Sequence, residues 1–254
     1  MTNERIILIT GGSRGLGRAA ALALADGGDD IVLTYRSDAE AAAAAVVAEV
    51  RARGRRAVAL ALDTTAPETF AEFAERLRET LDTQWARDTF DVLVNNAGYG
   101  GAAPVGAFDR DGIERLVSVH FTGVVLLTQQ LLPALADGGR ILNVSTGLTR
   151  FAAPGMAVYA AVKSAVETFT VYLAQDLGAR GIAVNVIAPG ATATDFGGGA
   201  VRDDERYRAV VLPTVAMGRI GEPDDIGAAV AAILDPRMAW VTGQRIEASG
   251  GQRL

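Results

Sequence analysis

The fold is decided by residues 6–17, which read Ile6-Ile7-Leu8-Ile9-Thr10-Gly11-Gly12-Ser13-Arg14-Gly15-Leu16-Gly17. Four consecutive aliphatic residues predict a strand covered on both faces of a sheet. The glycines after them allow positive φ and a close approach of backbone to a diphosphate. They also open a helix whose free N–H groups and positive end favour a phosphate. The spacing is G-x-x-x-G-x-G, and a P-loop is excluded because Arg18 and Ala19 follow where Lys and Ser or Thr are required.

Short aliphatic runs and longer alanine-rich runs alternate along the rest of the chain. Strands are predicted at residues 5–10, 31–35, 56–62, 90–94, 140–145, 182–188 and 244–248. Helices are predicted at residues 15–27, 39–53, 68–85, 111–135, 158–179 and 223–234. The alternation predicts an α/β fold: one Rossmann-type, doubly wound parallel sheet of about seven strands with helices on both faces. We expect residues 1–254 to form a single dinucleotide-binding domain, with the long irregular segment 189–222 as a mobile substrate lid.

Composition and charge exclude several classes of protein. Half of the 254 residues are hydrophobic and 21% are charged, which is typical of a globular chain. Cysteine is absent and histidine occurs once, so disulfides, thiolate nucleophiles and Cys-based or multi-His metal sites are excluded, and no metal is expected. A net charge of −6 argues against nucleic-acid binding. Residues 116–136 carry no formal charge, but Gln129, Gln130 and Pro133 favour a helix in the core or at a subunit interface over a membrane span. The sequence predicts a cytoplasmic protein.

The end of the second predicted strand indicates which nicotinamide cofactor is bound. An acid at this point would bind a free ribose 2′-hydroxyl, whereas an arginine accommodates a 2′-phosphate. Arg36 and Ser37 occupy this position, and Arg14 can reach the same region. A guanidinium binds phosphate through forked hydrogen bonds, so these residues predict NADP(H) rather than NAD(H). The alternative is that Arg36 is an ordinary surface residue in an arginine-rich chain.

Tyr159 and Lys163 share one face of a predicted helix, because they are spaced i, i+4. Lys163 is the only lysine among 24 basic residues. A compact ammonium beside a phenol favours the phenolate and lowers the phenol pKa, which predicts a general acid or base. The alternative is a surface pair without a catalytic role.

The ordered motifs resemble those of the short-chain dehydrogenase/reductase family, and most closely its acyl-carrier-protein ketoreductases. The likeness covers nearly the whole chain and rests on the glycine turn, Asp63, Asn95-Asn96-Ala97-Gly98, Tyr159 with Lys163, Pro189-Gly190 with Thr194, and Gly250-Gly251. This resemblance implies an NADP(H)-dependent enzyme that reversibly reduces a ketone or aldehyde to an alcohol. It also implies a homotetramer, or else a dimer.

The resemblance also implies roles for individual residues. Asp63 would hold the adenine, Thr194 and the backbone near Thr192 the nicotinamide amide, and Lys163 the nicotinamide ribose, while Tyr159 would protonate the carbonyl oxygen. The residues expected to contact the cofactor are Gly11, Ser13, Arg14, Gly15, Leu16, Gly17, Arg36, Ser37, Asp63, Asn95, Ala97, Gly98, Tyr159, Lys163, Pro189, Gly190, Thr192 and Thr194.

Two positions depart from the family pattern. The family's catalytic serine lies thirteen residues before the tyrosine, and here that position is Thr146, whose hydroxyl donates and accepts as serine does. Its neighbour Ser145 cannot face the site as well, because adjacent strand residues point to opposite faces. We therefore favour Thr146. The asparagine of a V-N-x-x-G motif is replaced by His120. His120 either substitutes in a proton relay or is a core histidine satisfied by backbone. These departures keep open a second hypothesis, a dinucleotide-binding sensor or scaffold with little catalysis.

Two further expectations concern the surroundings of the site. The candidate pocket residues suggest an apolar, mid-sized substrate, and they are Tyr99, Arg150, Phe151, Met156, Phe196 and Leu212. Arg150 is expected either to bind an acidic group or to be solvated. Extra length at residues 82–89 is expected to form a surface insertion.

Overall fold

The computed structural model describes residues 4–254, with the side chain of Ser37 left out. Within this range all seven strands form one parallel sheet in the order β3-β2-β1-β4-β5-β6-β7. The strands are β1 Ile6–Ile9, β2 Asp30–Tyr35, β3 Ala57–Ala61, β4 Phe90–Asn95, β5 Leu135–Val144, β6 Ala183–Pro189 and β7 Arg245–Ala248. The strand order reverses between β1 and β4, so both strands leave a crevice at their carboxyl ends. The predicted fold class is confirmed.

Helices cover both faces of the sheet. They are α1 Gly15–Asp26, α2 Glu40–Ala52, α3 Phe70–Trp85, α4 Arg110–Val117, α5 Gly123–Leu131, α6 Ala157–Leu177, α7 Ala200–Asp203, α8 Glu205–Val211 and α9 Pro223–Ile233. One hydrophobic cluster joins the sheet to α1, α2 and α9, and a second joins its other face to α3, α5 and α6. Because β1 is buried on both faces, its run of four aliphatic residues needs no polar alternation.

Most of the uncharged residues 116–136 belong to a helical segment that spans Arg110–Ala134. It is long and apolar enough to cross a membrane, but Leu127 and Leu131 lie in the hydrophobic cluster beneath the sheet. A π-helical turn, Ser118–Thr122, separates α4 from α5 within this segment. Helix α5 ends at Leu131, before Pro133. The expectation of a core helix fits this position, whereas the π turn was not predicted.

The segment between β6 and α9 is more ordered than the sequence indicated. Residues 189–222 were expected to be irregular, yet they contain α7 and α8. Asp204 opens α8, because its carboxylate accepts hydrogen bonds from the N–H groups of Arg206 and Tyr207. The expectation of an irregular segment is therefore wrong, whereas its role as a mobile substrate lid stays a prediction.

The expected insertion at residues 82–89 is also more than a surface loop. Trp85 is buried at the end of α3, and its indole N–H donates to the Asp30 carboxylate at 2.7 Å. Asp30 also pairs with Arg55 and Arg56, at 2.8 Å and 2.9 Å. A buried carboxylate requires such partners. The start of this segment therefore completes an ion-pair network beneath β2.

Candidate active site

The glycine turn lies at the carboxyl end of β1 and has no room for larger residues. Gly11 and Gly15 have φ of +66° and +54°. A Cβ on Gly17 would lie 2.3 Å from the Gly11 carbonyl oxygen. Asn96 holds the turn, since its amide donates to the carbonyls of Thr10 and Gly11 at 2.8 Å and 3.1 Å. Asn96 belongs to a motif visible in the sequence, but its role as a clamp on the turn was not predicted.

The N-terminus of α1 suits a phosphate. No side chain among the described residues caps it, and its first turn carries no acidic residue. Its N–H groups and positive end are therefore available to an anion. Ser13 is buried in the turn, and Leu16 packs on the core beneath it. The cradle fits the diphosphate of a dinucleotide.

Charged residues surround the predicted 2′-phosphate position. Arg36 is exposed and pairs with Asp38 at 2.6 Å, and this hydrogen bond holds the pKa of the Asp38 carboxyl below its usual value. The positive charge of Arg14 also lowers the pKa of Asp38. The Arg14 guanidinium lies 4.0 Å from the Asp195 carboxylate. Asp63 accepts two hydrogen bonds from Thr65, one from its N–H at 2.8 Å and one from its hydroxyl at 2.7 Å. The side chain of Ser37 lies outside the described residues.

Asp38 is the residue that sequence reasoning missed here. It follows Arg36 by two positions in the sequence. An acid this close to an arginine could have indicated an ion pair between them. In the structure it neutralises the guanidinium that was expected to bind phosphate.

The first residue of the Asn95-Asn96-Ala97-Gly98 motif turns away from the cofactor crevice. The Asn95 amide donates to Thr128 at 3.0 Å and to Asn143 at 2.8 Å, in the interior. Asn95 was expected among the residues that contact the cofactor, but its side-chain amide is satisfied by partners in the interior. Ala97 and Gly98 stay at the crevice, where Ala97 closely approaches Gly11.

The segment after β6 faces the glycine turn. Thr194 is buried, and its hydroxyl accepts a hydrogen bond from the Phe196 N–H at 3.2 Å. A Cβ on Gly15 would lie 3.9 Å from the Thr194 side chain, so Thr194 faces the turn across the crevice. Thr192 donates to the carbonyl of Gly190 at 3.1 Å. Gly190, after Pro189 at the end of β6, has no space for a Cβ because Ser249 would lie 2.6 Å away.

Tyr159 and Lys163 are both buried on α6. The Lys163 ammonium lies 6.0 Å from the centre of the Tyr159 ring and donates to the Val144 carbonyl at 2.8 Å. Burial lowers the pKa of Lys163 from 10.5 to about 8. Burial also raises the pKa of the Tyr159 phenol above its ordinary value. This direction is opposite to the lowering expected from Lys163, because desolvation of the phenolate dominates.

Thr146 and Ser145 face different surroundings, as the strand geometry requires. Ser145 donates to Glu167 at 2.6 Å, and Glu167 also pairs with Arg245. The Thr146 hydroxyl accepts one weak bond, from the Leu148 N–H at 3.3 Å. Ser145 is therefore committed to an ion-pair network, whereas the hydroxyl of Thr146 keeps its donor and further acceptor capacity.

His120 lies on the π turn against the tyrosine. Its ring centre is 5.3 Å from that of Tyr159, edge to face. Nε2 bonds to the Tyr99 carbonyl at 2.8 Å, and because a carbonyl only accepts, Nε2 carries the proton. Nδ1 is buried and has no hydrogen-bond partner among the described residues. Burial, followed by the charge of Lys163, lowers the His120 pKa from 6.5 to about 3, so the imidazole is neutral. The backbone bond matches the interpretation of a core histidine.

Two of the expected pocket residues contact this centre. Phe196 lies 5.7 Å from the Tyr159 ring, and Tyr99 lies 5.4 Å from the His120 ring. Arg150 lies at the exposed surface, as one of the two expectations had it, and pairs there with Glu247 at 2.6 Å.

Comparison with known proteins agrees with this geometry. A family model described as enoyl-(acyl carrier protein) reductase matches residues 11–253. An uncharacterized oxidoreductase of Methylorubrum extorquens is 36% identical over 98% of each chain. A 3-oxoacyl-[acyl-carrier-protein] reductase of Synechocystis is 33% identical over 97% of this chain and 96% of the relative.

Solved structures show the same likeness. The angucycline C-6 ketoreductase LanV with bound NADP superposes with a TM-score of 0.92 at 32% identity, covering 98% of this chain and 95% of that one. A blue fluorescent protein from a metagenomic library, in complex with NADPH, gives 0.88 at 37% identity over 98% of each chain. The chain belongs to the short-chain dehydrogenases/reductases, within the matched reductase family, and is an oxidoreductase.

Proposed function

We propose that this protein is an NADPH-dependent carbonyl reductase, which reversibly reduces a ketone or aldehyde to an alcohol. The observation that carries the proposal is the buried phenol of Tyr159 beside the only lysine of the chain, at the mouth of the dinucleotide crevice. Relatives named as ketoreductases support the same reaction.

Proton transfer is assigned to Tyr159. Reduction adds hydride to the carbonyl carbon, which NADPH supplies when bound, and a proton to the oxygen. Because burial raises its pKa, Tyr159 is a neutral phenol at neutral pH and holds the proton that a carbonyl oxygen needs. Oxidation of an alcohol is the reverse of this step, in which the phenolate accepts the proton, so the same residue serves both directions.

Three further residues are assigned to that step. We assign Thr146 to donate a second hydrogen bond to the carbonyl oxygen, since its hydroxyl is the uncommitted one of the 145–146 pair. Lys163 would hold the nicotinamide ribose with the N–H groups that Val144 leaves free. His120 is neutral and bonded to the Tyr99 carbonyl, so we assign it to positioning the Tyr159 ring, which it contacts edge to face, rather than to a proton relay.

The choice of NADP(H) rests on the two arginines. Both Arg14 and Arg36 lower the pKa of Asp38, and Arg36 also forms an ion pair with it. Two positive charges therefore lie near the end of β2, where a 2′-phosphate would bind. The LanV structure holds NADP, and the metagenomic protein is in complex with NADPH.

The remaining expectations are part of the same proposal. We propose a cytoplasmic homo-oligomer, a tetramer or else a dimer. Val171 and Tyr172 on α6 and Trp240 before β7 are exposed apolar side chains suited to subunit contacts.

The experiment is NADPH oxidation over a panel of ketones, β-ketoesters and aldehydes, with Tyr159→Phe as the test variant. We expect a loss of at least about 100-fold in kcat with NADPH binding retained. Tyr207→Phe is the matched control, because Tyr207 lies on α8 and is 44% exposed. NADPH binding without turnover of any carbonyl would favour the sensor or scaffold hypothesis, and full activity in Tyr159→Phe would refute the mechanism.

A further inference from the structure

Two aromatic rings pack against the reacting phenol, and a third extends the cluster. The Phe196 ring lies 5.7 Å from the Tyr159 ring at 58°, and the His120 ring lies 5.3 Å away at 89°. Tyr99 continues the series, 5.4 Å from His120 and tilted by 30°. The Arg115 guanidinium lies 5.9 Å from the centre of the Tyr99 ring. A substrate that reaches Tyr159 therefore meets ring faces and edges.

Phe196 closes the way to Tyr159 in this structure. Tyr159 is 5% exposed, whereas Phe196 is 41% exposed at the outer edge of the same cluster. A Cβ on Gly100 would lie 3.1 Å from the Phe196 ring and 2.9 Å from the Gly197 Cα, so the 196–197 segment touches the 99–101 loop directly. On this side of the cluster, the Phe196 ring therefore lies between Tyr159 and solvent.

The residues after Phe196 supply freedom for movement of this ring. Gly197, Gly198 and Gly199 have φ of +61°, +73° and +79°, three left-handed residues in succession. A Cβ on Gly197 or Gly198 would meet nothing within 4 Å, so space does not require glycine at these two positions. Their backbone conformation does require it. Phe196 is thus carried at the end of a glycine hinge.

We propose that Phe196 swings aside on this hinge and stacks on a flat, fused-ring aromatic ketone, with Tyr99 as the second aromatic surface. Aromatic rings prefer offset-stacked or edge-to-face contacts, and a planar ligand satisfies several rings at once where a puckered one does not. This inference rests on the proposed function and names its substrate class.

The test compares two bicyclic ketones of the same carbon skeleton, 2-tetralone, which contains an aromatic ring, and 2-decalone, which is saturated. For the NADPH-dependent reaction we expect Phe196→Leu to lower the ratio of the two kcat/KM values roughly 2- to 12-fold. Using the ratio cancels any general effect of the substitution on lid movement. Phe196→Tyr should keep the wild-type ratio.

Tyr207→Leu is the matched control, because Tyr207 is a lid aromatic that is 44% exposed and lies on α8 rather than against Tyr159. It should also keep the wild-type ratio. A ratio unchanged in Phe196→Leu overturns the inference and leaves the reductase function standing.

A binding measurement separates this inference from the proposed function. Calorimetry with the NADP⁺-saturated protein would use 2-naphthol and its saturated counterpart, 2-decalol, as probes. Tighter binding of 2-naphthol that is lost in Phe196→Leu supports stacking even where no ketone is turned over. Equal binding of the two probes to the wild-type protein overturns it.

Discussion

Replacing the buried lysine by methionine should stabilise the protein while it removes activity. Burial lowers the pKa of Lys163 from 10.5 to about 8, so the folded protein holds a charge that it disfavours. At neutral pH this difference corresponds to about 3 kcal/mol. Lys163→Met relieves it but leaves the Val144 carbonyl without its 2.8 Å hydrogen bond, which costs about 1 kcal/mol. We expect a net gain of about 2 kcal/mol, or about 4–8 °C in Tm.

The pH dependence of this gain gives the sharper test. Between pH 8 and 10.5 the unfolded chain binds the lysine proton and the folded protein releases it, so wild-type stability rises with pH. The advantage of Lys163→Met should therefore shrink by about 1.4 kcal/mol between pH 7 and pH 9. Thermal unfolding of the cofactor-free proteins at both pH values measures it.

The control is Tyr159→Phe, which removes a buried hydroxyl but no charge. Because burial raises the pKa of Tyr159, its difference from wild type should stay constant between pH 7 and pH 9. A Lys163→Met protein that is less stable than wild type at pH 7, or a gain independent of pH, would refute the reasoning.

Three other changes follow from the structure. Asp38→Asn removes the carboxylate that pairs with Arg36 and should lower the KM for NADPH about 2- to 5-fold, with little effect on the KM for NADH. Equal effects on both cofactors would contradict the assignment. Gly17→Ala places a Cβ 2.3 Å from a backbone oxygen and should abolish NADPH binding in fluorescence titration, whereas Gly178→Ala, with open space, should bind normally. Burial lowers the His120 pKa from 6.5 to about 3, so at pH 5 the imidazole is protonated in the unfolded chain and neutral in the folded protein. His120 should therefore make the protein about 2 kcal/mol less stable at pH 5 than at pH 7. His120→Gln should remove this part of the acid sensitivity, and urea unfolding with the same pH dependence in both proteins would count against it.

Local signals predicted the scaffold of the site well. The aliphatic run of β1, the glycine turn and the start of α1 are neighbours in sequence, so backbone freedom and periodicity specify them together. The i, i+4 spacing placed Tyr159 and Lys163 on one face of α6, where both are buried.

Predictions that depended on distant partners did less well. Asn95 was expected to contact the cofactor, but its side-chain amide donates to Thr128 and Asn143 in the interior. Arg150 is exposed, as expected, but its partner Glu247 lies 97 residues further along the chain and was not predicted. A residue type and its position in a motif do not show which polar group from another element lies within hydrogen-bond distance.

The sequence by itself determined the parallel sheet, the phosphate cradle and the tyrosine–lysine pair, because each depends on short-range spacing. The tertiary structure decided the protonation of that pair and the access to it. Burial raises the pKa of Tyr159, contrary to the effect expected of Lys163, and desolvation depends on every element packed around the phenol. Phe196 contacts Tyr159 from 37 residues away in sequence, because the segment after β6 folds back toward α6.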